Sequence, residues 1–333
     1  MIRAALRLGS WVYRFAVWLR NRRYDRNDDL VHRVDVPIIC VGNLTTGGTG
    51  KTPVVAWLCD IFQSQSLRVS IISRGYGSTG GESNDEALEL AKRLPGVPHV
   101  QQQDRVGAAQ IAVEQLDSQV IVMDDGFQHR RLGRTADLVV IDATNPFGFD
   151  ALLPRGRMRE PLASLRRADA VLISRTESVD PSDVSRIESR IYPYLRSGVS
   201  IFRGRTIPGQ LINHDGQMRS IDAVSDQRVL AVSAIGNPDA FEAMIKTLGG
   251  QVVESFRLND HASYGPGVIT QIEKRLMHAI ESVDMIVCTM KDLVKLKRDR
   301  ISDIPVWAIT IGVDINPQHE AEQWLMEQIQ KGV

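Results

Sequence analysis

Glycines, a lysine and hydroxyl side chains stand together at Gly42-Asn43-Leu44-Thr45-Thr46-Gly47-Gly48-Thr49-Gly50-Lys51-Thr52. A nucleotide polyphosphate that leaves water needs many aligned backbone N–H donors. A glycine-rich turn feeding a helix N-terminus provides them. In such a turn Thr45, Thr46, Gly47, Gly48, Thr49 and Gly50 wrap the phosphates, Lys51 reaches the outer ones, and the Thr52 hydroxyl binds Mg²⁺. The strict pattern has glycine where this chain has Thr45, but Gly47 and Gly48 still allow close backbone approach. The alternative is a glycine-rich turn that happens to hold Lys and Thr. A second cluster, Asp124-Asp125-Gly126-Phe127-Gln128-His129, follows an apolar run. An Asp ending a buried strand sets a carboxylate beside Mg²⁺, directly or through water; a plain Asp-Asp-Gly surface turn is the other reading. Gln128 and His129 add an amide and an imidazole at the carboxyl end of the sheet, where ligands bind in open α/β folds.

These residues need strands and helices to position them, and the pattern supplies both. Apolar, branched runs at 35–41, 69–72, 119–123, 137–142 and 170–174 read as buried strands. Between them, 53–63, 85–94 and 105–116 read as helices, the first with Pro53 in its first turn. Strands alternating with helices predict a parallel sheet covered on both faces. Beyond about residue 200 the pattern changes. Segments 202–212 and 306–315 read as extended, and strands near 229, 252 and 285 with helices from Pro238 and Pro266 read as a second, smaller α/β set. The expected division is 1–24 as an amphipathic helix, 25–205 as the nucleotide-binding domain and 206–333 as the smaller domain.

Residues 1–24 hold six arginines, no acidic residue, and Trp11, Tyr13, Phe15 and Trp18. At about 100° per residue, Arg3, Arg7 and Arg14 share one stripe, and Leu8, Trp11, Val12, Phe15, Trp18 and Leu19 lie beside it. No charge-free run approaches the roughly 20 residues of a membrane span. An arginine-lined aromatic helix suits the surface of an anionic membrane; a helix docked on the protein's own body, or on a partner, is the alternative. The 333 residues carry 40 Lys plus Arg against 40 Asp plus Glu, a formal net charge of zero. That balance argues against a general nucleic-acid binder, and no obligatory protein partner is expected. Cys40, Cys59 and Cys288 form no C-x-x-C pair, so a disulfide framework or cysteine zinc site is not expected and a reducing compartment fits.

The phosphate loop alone does not choose among kinase, GTPase, ligase and partitioning ATPase. A partitioning ATPase has a second lysine just before the paired glycines, where this chain has Thr46. A guanine-specific N-K-x-D motif is missing. Further motifs narrow the choice: the chain resembles the tetraacyldisaccharide 4′-kinase family. The likeness is carried by 42–53 (GNLTTGGTGKTP), 73–77 (SRGYG), 124–129 (DDGFQH), 152–161 (LLPRGRMREP), 235–238 (IGNP), Asp260-His261 and 291–296 (KDLVKL).

The resemblance implies transfer of the ATP γ-phosphate, with Mg²⁺, to the 4′-hydroxyl of a tetraacylated glucosamine disaccharide 1-phosphate in lipid A biosynthesis. It implies a peripheral enzyme at the cytoplasmic face of the inner membrane. The fold implied is a P-loop α/β domain joined to a smaller α/β domain by a two-stranded linker. By the same resemblance Asp85 is the base, with Glu86 beside it. The family motif is G-D-E-P-like, and Asn84 and Ala87 depart from it; by residue type alone Asp85 reads as a helix cap. The family's Asp-His-His run is Asp260-His261-Ala262 here, and the expectation is that His261 pairs with Asp85 across an interdomain cleft. Arg105, Arg159 and Glu160 are implied at the phosphate site with Gln128 and His129. Arg155 and Arg157 replace small or apolar residues of the family and add positive charge there.

Overall fold

The computed structural model describes residues 2–75, 85–259, 262, 264–279 and 282–332, the side chains of residues 2–4, 85 and 86 excepted. Two compact units divide the chain. One comprises Met1–Gly81, Leu94–Thr206 and Val313–Val333; the other comprises Glu82–Arg93 and Ile207–Gly312.

In the first unit the branched apolar runs become strands: β1 (Ile38–Gly42), β2 (Val69–Ser73), the short β3 (His99–Gln101), β4 (Val120–Asp124), β5 (Ala136–Asp142), β6 (Ala170–Ser174) and β7 (Ser200–Ile212). Their order is β7-β6-β5-β1-β4-β2-β3, with parallel neighbours. The strands β1, β2, β4, β5 and β6 are buried along their whole length. Near-continuous apolar runs are what a parallel sheet covered on both faces requires. The helices of this unit include α1 (Ile2–Arg26), α2 (Lys51–Ser64), α4 (Arg105–Glu114), α5 (Pro181–Ile191) and α9 (Gln318–Lys331). One apolar cluster joins Ile38, Cys40, Ile72, Ile121 and Met123 to the alanines of α4; another joins Val139, Ile141, Val171 and Ile173 to Val184, Ile187 and Ile191 of α5.

The second unit holds β8 (Met218–Arg219), β9 (Arg228–Ser233), β10 (Gln251–Arg257), β11 (Met285–Thr289), β12 (Arg300–Ile301) and β13 (Ile304–Asn316), with α3 (Asp85–Arg93), α6 (Pro238–Thr247), α7 (Pro266–His278) and α8 (Met290–Leu296). Its strand order is β10-β9-β11-β13-β7. The chain leaves the first unit along β7 and returns along β13.

The compact units are not contiguous in sequence, so a single cut at residue 205 does not describe them. Helix α3 belongs with 207–312 because it packs on α8 and its Lys92 ammonium donates to the His214 carbonyl at 2.5 Å. Helix α9 returns to the first unit, where Trp324 meets Phe202 edge-on with ring centroids 6.1 Å apart. Among the described residues no helix is long and apolar enough to cross a membrane.

Candidate active site

The phosphate loop leaves β1 at Gly42 and enters α2 at Lys51. Gly42 has no room for a side chain: a Cβ there would lie 2.5 Å from the Phe127 Cβ. Gly50 caps α2 in the left-handed region (φ 78°) and offers no side-chain acceptor to the first helical turn. The orphan N–H groups of that turn therefore point into the loop with no carboxylate or hydroxyl of the cap to satisfy them, the arrangement that receives an anion. The loop is braced from inside. The Asn43 amide donates to the Thr49 hydroxyl at 2.9 Å, and the Ser174 hydroxyl at the end of β6 donates to the Thr49 carbonyl at 2.9 Å.

A second strap crosses the loop from 157–160. The Thr46 N–H donates to the Arg157 carbonyl at 2.7 Å and the Arg159 N–H to the Leu44 carbonyl at 2.6 Å. This backbone pairing brings the Arg159 guanidinium over the loop. It donates to both Asp125 oxygens at 2.7 and 2.9 Å, to the Thr45 carbonyl at 3.1 Å and to the Asn43 side-chain oxygen. The Lys51 ammonium lies 3.2 Å from the same Asp125 carboxylate. Burial pushes the Asp125 carboxyl up, but the Arg159 hydrogen bonds and the Lys51 and Arg159 charges outweigh it and hold it well below the usual carboxylate range. Asp125, Lys51 and Arg159 thus form one charged cluster at the mouth of the loop.

Asp124 is the last residue of β4 and is buried, whereas Asp125 turns out of the strand with φ 52°. Arg105, 3 % exposed, donates to the carbonyls of Asp124 and Asp125 at 3.2 and 3.4 Å. Its guanidinium therefore supports the backbone of the Asp pair from beneath. The Gln128 amide donates to the Asn43 carbonyl at 2.7 Å and ties this turn to the phosphate loop. Burial and the nearby Arg105 and Arg134 charges push the His129 imidazole down to about 4. The ring is therefore neutral near pH 7. Arg134 holds the turn from the other side, donating to the carbonyls of Gly126, Phe127 and His129 and to Asp137.

Glu160 differs from the position its sequence neighbours suggest. It is 0 % exposed. Its carboxylate accepts from Arg20 at 2.5 Å, from Asn21 at 3.1 Å and from Arg167 at 2.9 Å. Arg20 and Asn21 belong to α1, and the Tyr13 hydroxyl of the same helix donates to the Arg159 carbonyl at 3.0 Å. Residues 159–160 are thus held between α1 and the phosphate loop. One face of α1 (Ser10, Tyr13, Val17, Arg20, Asn21) docks on the protein's own body, while Leu8, Trp11, Val12, Phe15, Trp18 and Leu19 stay exposed, Trp11 at 70 %. A groove of about 480 Å³ runs between α1 and the 150–163 segment, lined by Arg7, Trp11, Arg14, Leu152, Arg155 and Leu162 among others.

The structure therefore brings together Thr45, Thr46, Thr49, Gly50, Lys51, Asp125, Gln128 and Arg159 of the residues expected from sequence; Gly47 and Gly48 lie on the same loop, and Thr52 follows Lys51 in α2. The Thr52 hydroxyl and the carboxylates of Asp124 and Asp125 are hard oxygen donors of the kind Mg²⁺ takes. Among the described residues no group of three or more His, Cys, Asp or Glu side chains gathers to hold a metal alone. One or two carboxylates with a hydroxyl suit Mg²⁺, which keeps several waters and takes substrate phosphate oxygens. Asp85 and Glu86 open α3, but their side chains, with Asp260 and His261, lie outside the described residues. Since α3 belongs to the unit that holds residues 207–312, an Asp85–His261 pair would lie within one unit and not across two. Asn43, Ser174, Tyr13 and Asn21 were not expected at or beside the site. Ser174 and Asn43 each stand at the carboxyl end of a strand, which is the one signal in the sequence that marks them.

A family model described as tetraacyldisaccharide-1-P 4′-kinase (LpxK) matches residues 2–330. The tetraacyldisaccharide 4′-kinase of Syntrophus aciditrophicus is 34 % identical, covering 98 % of this chain and 93 % of its own length. That of Geobacter sulfurreducens is 33 % identical over 93 % of this chain and 89 % of its own. The crystal structure of Aquifex aeolicus LpxK in complex with ATP superposes with a TM-score of 0.80 at 29 % identity, covering 99 % of this chain and 100 % of that one.

Proposed function

This chain belongs to the tetraacyldisaccharide-1-P 4′-kinase family, and from that premise we propose that it transfers the γ-phosphate of ATP to the 4′-hydroxyl of a tetraacylated glucosamine disaccharide 1-phosphate, a step of lipid A biosynthesis at the cytoplasmic face of the inner membrane. The observation that carries the reading is the charged cluster of Lys51, Asp125 and Arg159 over a phosphate loop whose first helical turn has no cap acceptor.

The acceptor hydroxyl attacks the γ-phosphorus; a new O–P bond forms, the bond to the β–γ bridging oxygen breaks, and ADP leaves. The hydroxyl proton passes to Asp85, which His261 orients. The loop amides and Lys51 hold the β- and γ-phosphates. As the phosphates bind, they compete with the Asp125 carboxylate for Lys51, and Arg159 supplies a planar fork suited to phosphate oxygens. Thr52 and the Asp124–Asp125 pair would hold Mg²⁺, which would supply charge neutralisation at the phosphates. Gln128 and the neutral His129 line the floor. The arginine- and aromatic-lined groove beside α1 suits a headgroup phosphate with acyl chains attached, and the exposed apolar face of α1 suits the bilayer surface that carries them.

The test is transfer of label from γ-³²P-ATP to a tetraacyl disaccharide 1-phosphate in mixed micelles. Labelled lipid in wild type, lost in Asp85→Ala and much reduced in His261→Ala, is expected. Labelled lipid in all three would discard the base pair and keep the kinase. ATP hydrolysis without labelled lipid would point to a nucleotide-driven switch.

A further inference from the structure

Residues 148–150 turn through three successive positive φ angles: Gly148 at 51°, Phe149 at 65° and Asp150 at 55°. Glycine takes that conformation freely. Phenylalanine does not, because its Cβ crowds the backbone there. The ring held out in this way is 69 % exposed. The Arg157 guanidinium lies over it, 5.3 Å from the ring centroid. A strained backbone and an apolar ring in water both count against folding, and no burial of the ring offsets them. Such a conformation points to a contact outside the chain itself.

The loop that carries Phe149 is well braced. The Arg157 N–H donates to the Gly148 carbonyl at 2.8 Å, the Met158 N–H to the Ala151 carbonyl at 3.0 Å and the Gly156 N–H to the Leu152 carbonyl at 3.0 Å. Gly156 permits this closeness, since a Cβ there would lie 2.2 Å from the Ala151 carbonyl oxygen. On one side the loop joins the phosphate loop, where the Thr46 N–H donates to the Arg157 carbonyl at 2.7 Å. On another it abuts α1. The Ser10 hydroxyl lies 2.9 Å from the Leu152 carbonyl and accepts from the Arg155 N–H at 3.2 Å. The groove between them has Trp11 on the helix side and Asp150, next to Phe149, on the loop side. Arg7, Arg14, Arg155 and Arg190 line it, with Asp150 as the one acid. Asp150 is itself paired with Arg190.

An apolar tip among cations is suited to an anionic bilayer, where the ring enters the acyl region and the guanidinium groups meet lipid phosphates. A second copy of the chain would set arginine against arginine. We infer that Phe149 is a second membrane anchor beside α1, inserted among the acyl chains of an anionic bilayer with Arg155, Arg157 and Arg190 at the headgroups. The inference rests on the membrane contact proposed above for α1. A single helix lying on a surface leaves the body free to roll about the helix axis. A second contact to one side removes that rotation. Because Arg157 is hydrogen-bonded to Thr46, the same contact sets the distance of the phosphate loop from the bilayer.

The experiment uses the full chain and phosphatidylglycerol–phosphatidylcholine vesicles that contain no acceptor lipid. Phe149→Asn removes the ring and suits a positive φ. Co-sedimentation should show binding about 10-fold weaker than wild type, the scale of one phenyl ring left unburied. The melting temperature should stay unchanged or rise. Cys40, Cys59 and Cys288 are buried, so Phe149→Cys accepts a thiol-reactive, polarity-sensitive fluorophore selectively. Its emission should move to the blue on the vesicles. Equal binding by wild type and Phe149→Asn, or an emission unmoved by vesicles, would each overturn the inference and leave the contact of α1 standing. Absence of vesicle binding by wild type would overturn the membrane reading and this inference together. Unchanged vesicle binding with a raised KM for the acceptor lipid in mixed micelles would make Phe149 a substrate contact and overturn it. Weaker binding that merely tracks a lowered melting temperature would make its role structural and overturn it as well.

Discussion

Replacing Glu160 by Gln separates a structural from a chemical role, because the two predict opposite patterns. The carboxylate is 0 % exposed and is met by Arg20, Asn21 and Arg167 at 2.5, 3.1 and 2.9 Å. Burial alone would raise its pKa, yet the Arg167 charge, hydrogen bonds from Ser164 and Arg167, and the Arg20 charge keep it below the ordinary value. Glutamine keeps the shape and one acceptor but removes the charge. A hydrogen bond to a charged group is worth ~1.5–3 kcal/mol against ~1 for a neutral one. Two arginine contacts then lose about 1–2 kcal/mol each. Arg20 is 39 % exposed, so solvent screens its share, and the sum is about 2–3 kcal/mol, below the ~3–5 kcal/mol of fully unpairing a buried ion pair. For a unit of this size that corresponds to a fall in melting temperature of roughly 5–10 °C. Thermal and urea unfolding measure it, and an Arg20→Leu partner variant closes a cycle whose coupling should exceed about 0.5 kcal/mol. A melting temperature unchanged within a degree or so, together with a large fall in kcat, would refute the structural assignment and return Glu160 to the phosphate site.

Arg159→Lys should lower kcat/KM about 30-fold, a loss of about 2 kcal/mol, because lysine cannot present the planar fork to phosphate oxygens, and the lost bidentate contact to Asp125 should also lower the melting temperature by roughly a few degrees; steady-state kinetics with ATP varied and thermal unfolding measure the two. Gly42→Ala should abolish ATP binding and lower the melting temperature, since its Cβ would meet the Phe127 Cβ at 2.5 Å, whereas Gly48→Ala meets nothing within 4 Å and should leave the melting temperature unchanged. Stability should fall as pH drops from 6.5 towards about 4: His129 and His99 are both pushed down to about 4 when folded, so the unfolded chain binds more protons in that window. Urea unfolding across it should show a shallower pH slope in His129→Gln. Trp11→Glu with Phe15→Glu should remove binding to anionic vesicles and spare the fold, since both rings are exposed on α1; co-sedimentation with vesicles, beside circular dichroism, reads both.

Much of the frame was legible because its signals are local. The strand–glycine loop–helix order at 38–64, the apolar runs that became β4, β5 and β6, and the aromatic stripe on α1 depend only on residue type and on spacing within one element. The phosphate loop was legible for the same reason, since a run of adjacent residues does its work. The short edge strand β3 and helix α8 were not read, as a strand of three residues and a helix of seven carry too few repeats of their period.

What the tertiary structure decided lies between residues far apart in the chain. Asn43 and Arg159 stand 116 positions apart, and Arg20 and Glu160 stand 140 apart. Nothing within either stretch says that residue 159 turns its side chain to the loop while residue 160 turns away to α1. That alternation follows from the backbone pairing of 157–160 with 44–46, and the pairing exists only once the sheet has formed. The same holds for α3, whose sequence predicts a helix but not the unit it joins, while α9 was not read as a helix at all. Sequence alone thus determined the elements and the phosphate chemistry of one contiguous loop, because those depend on neighbours. Folding decided which charges meet, because contact between distant residues depends on packing that only the assembled core sets.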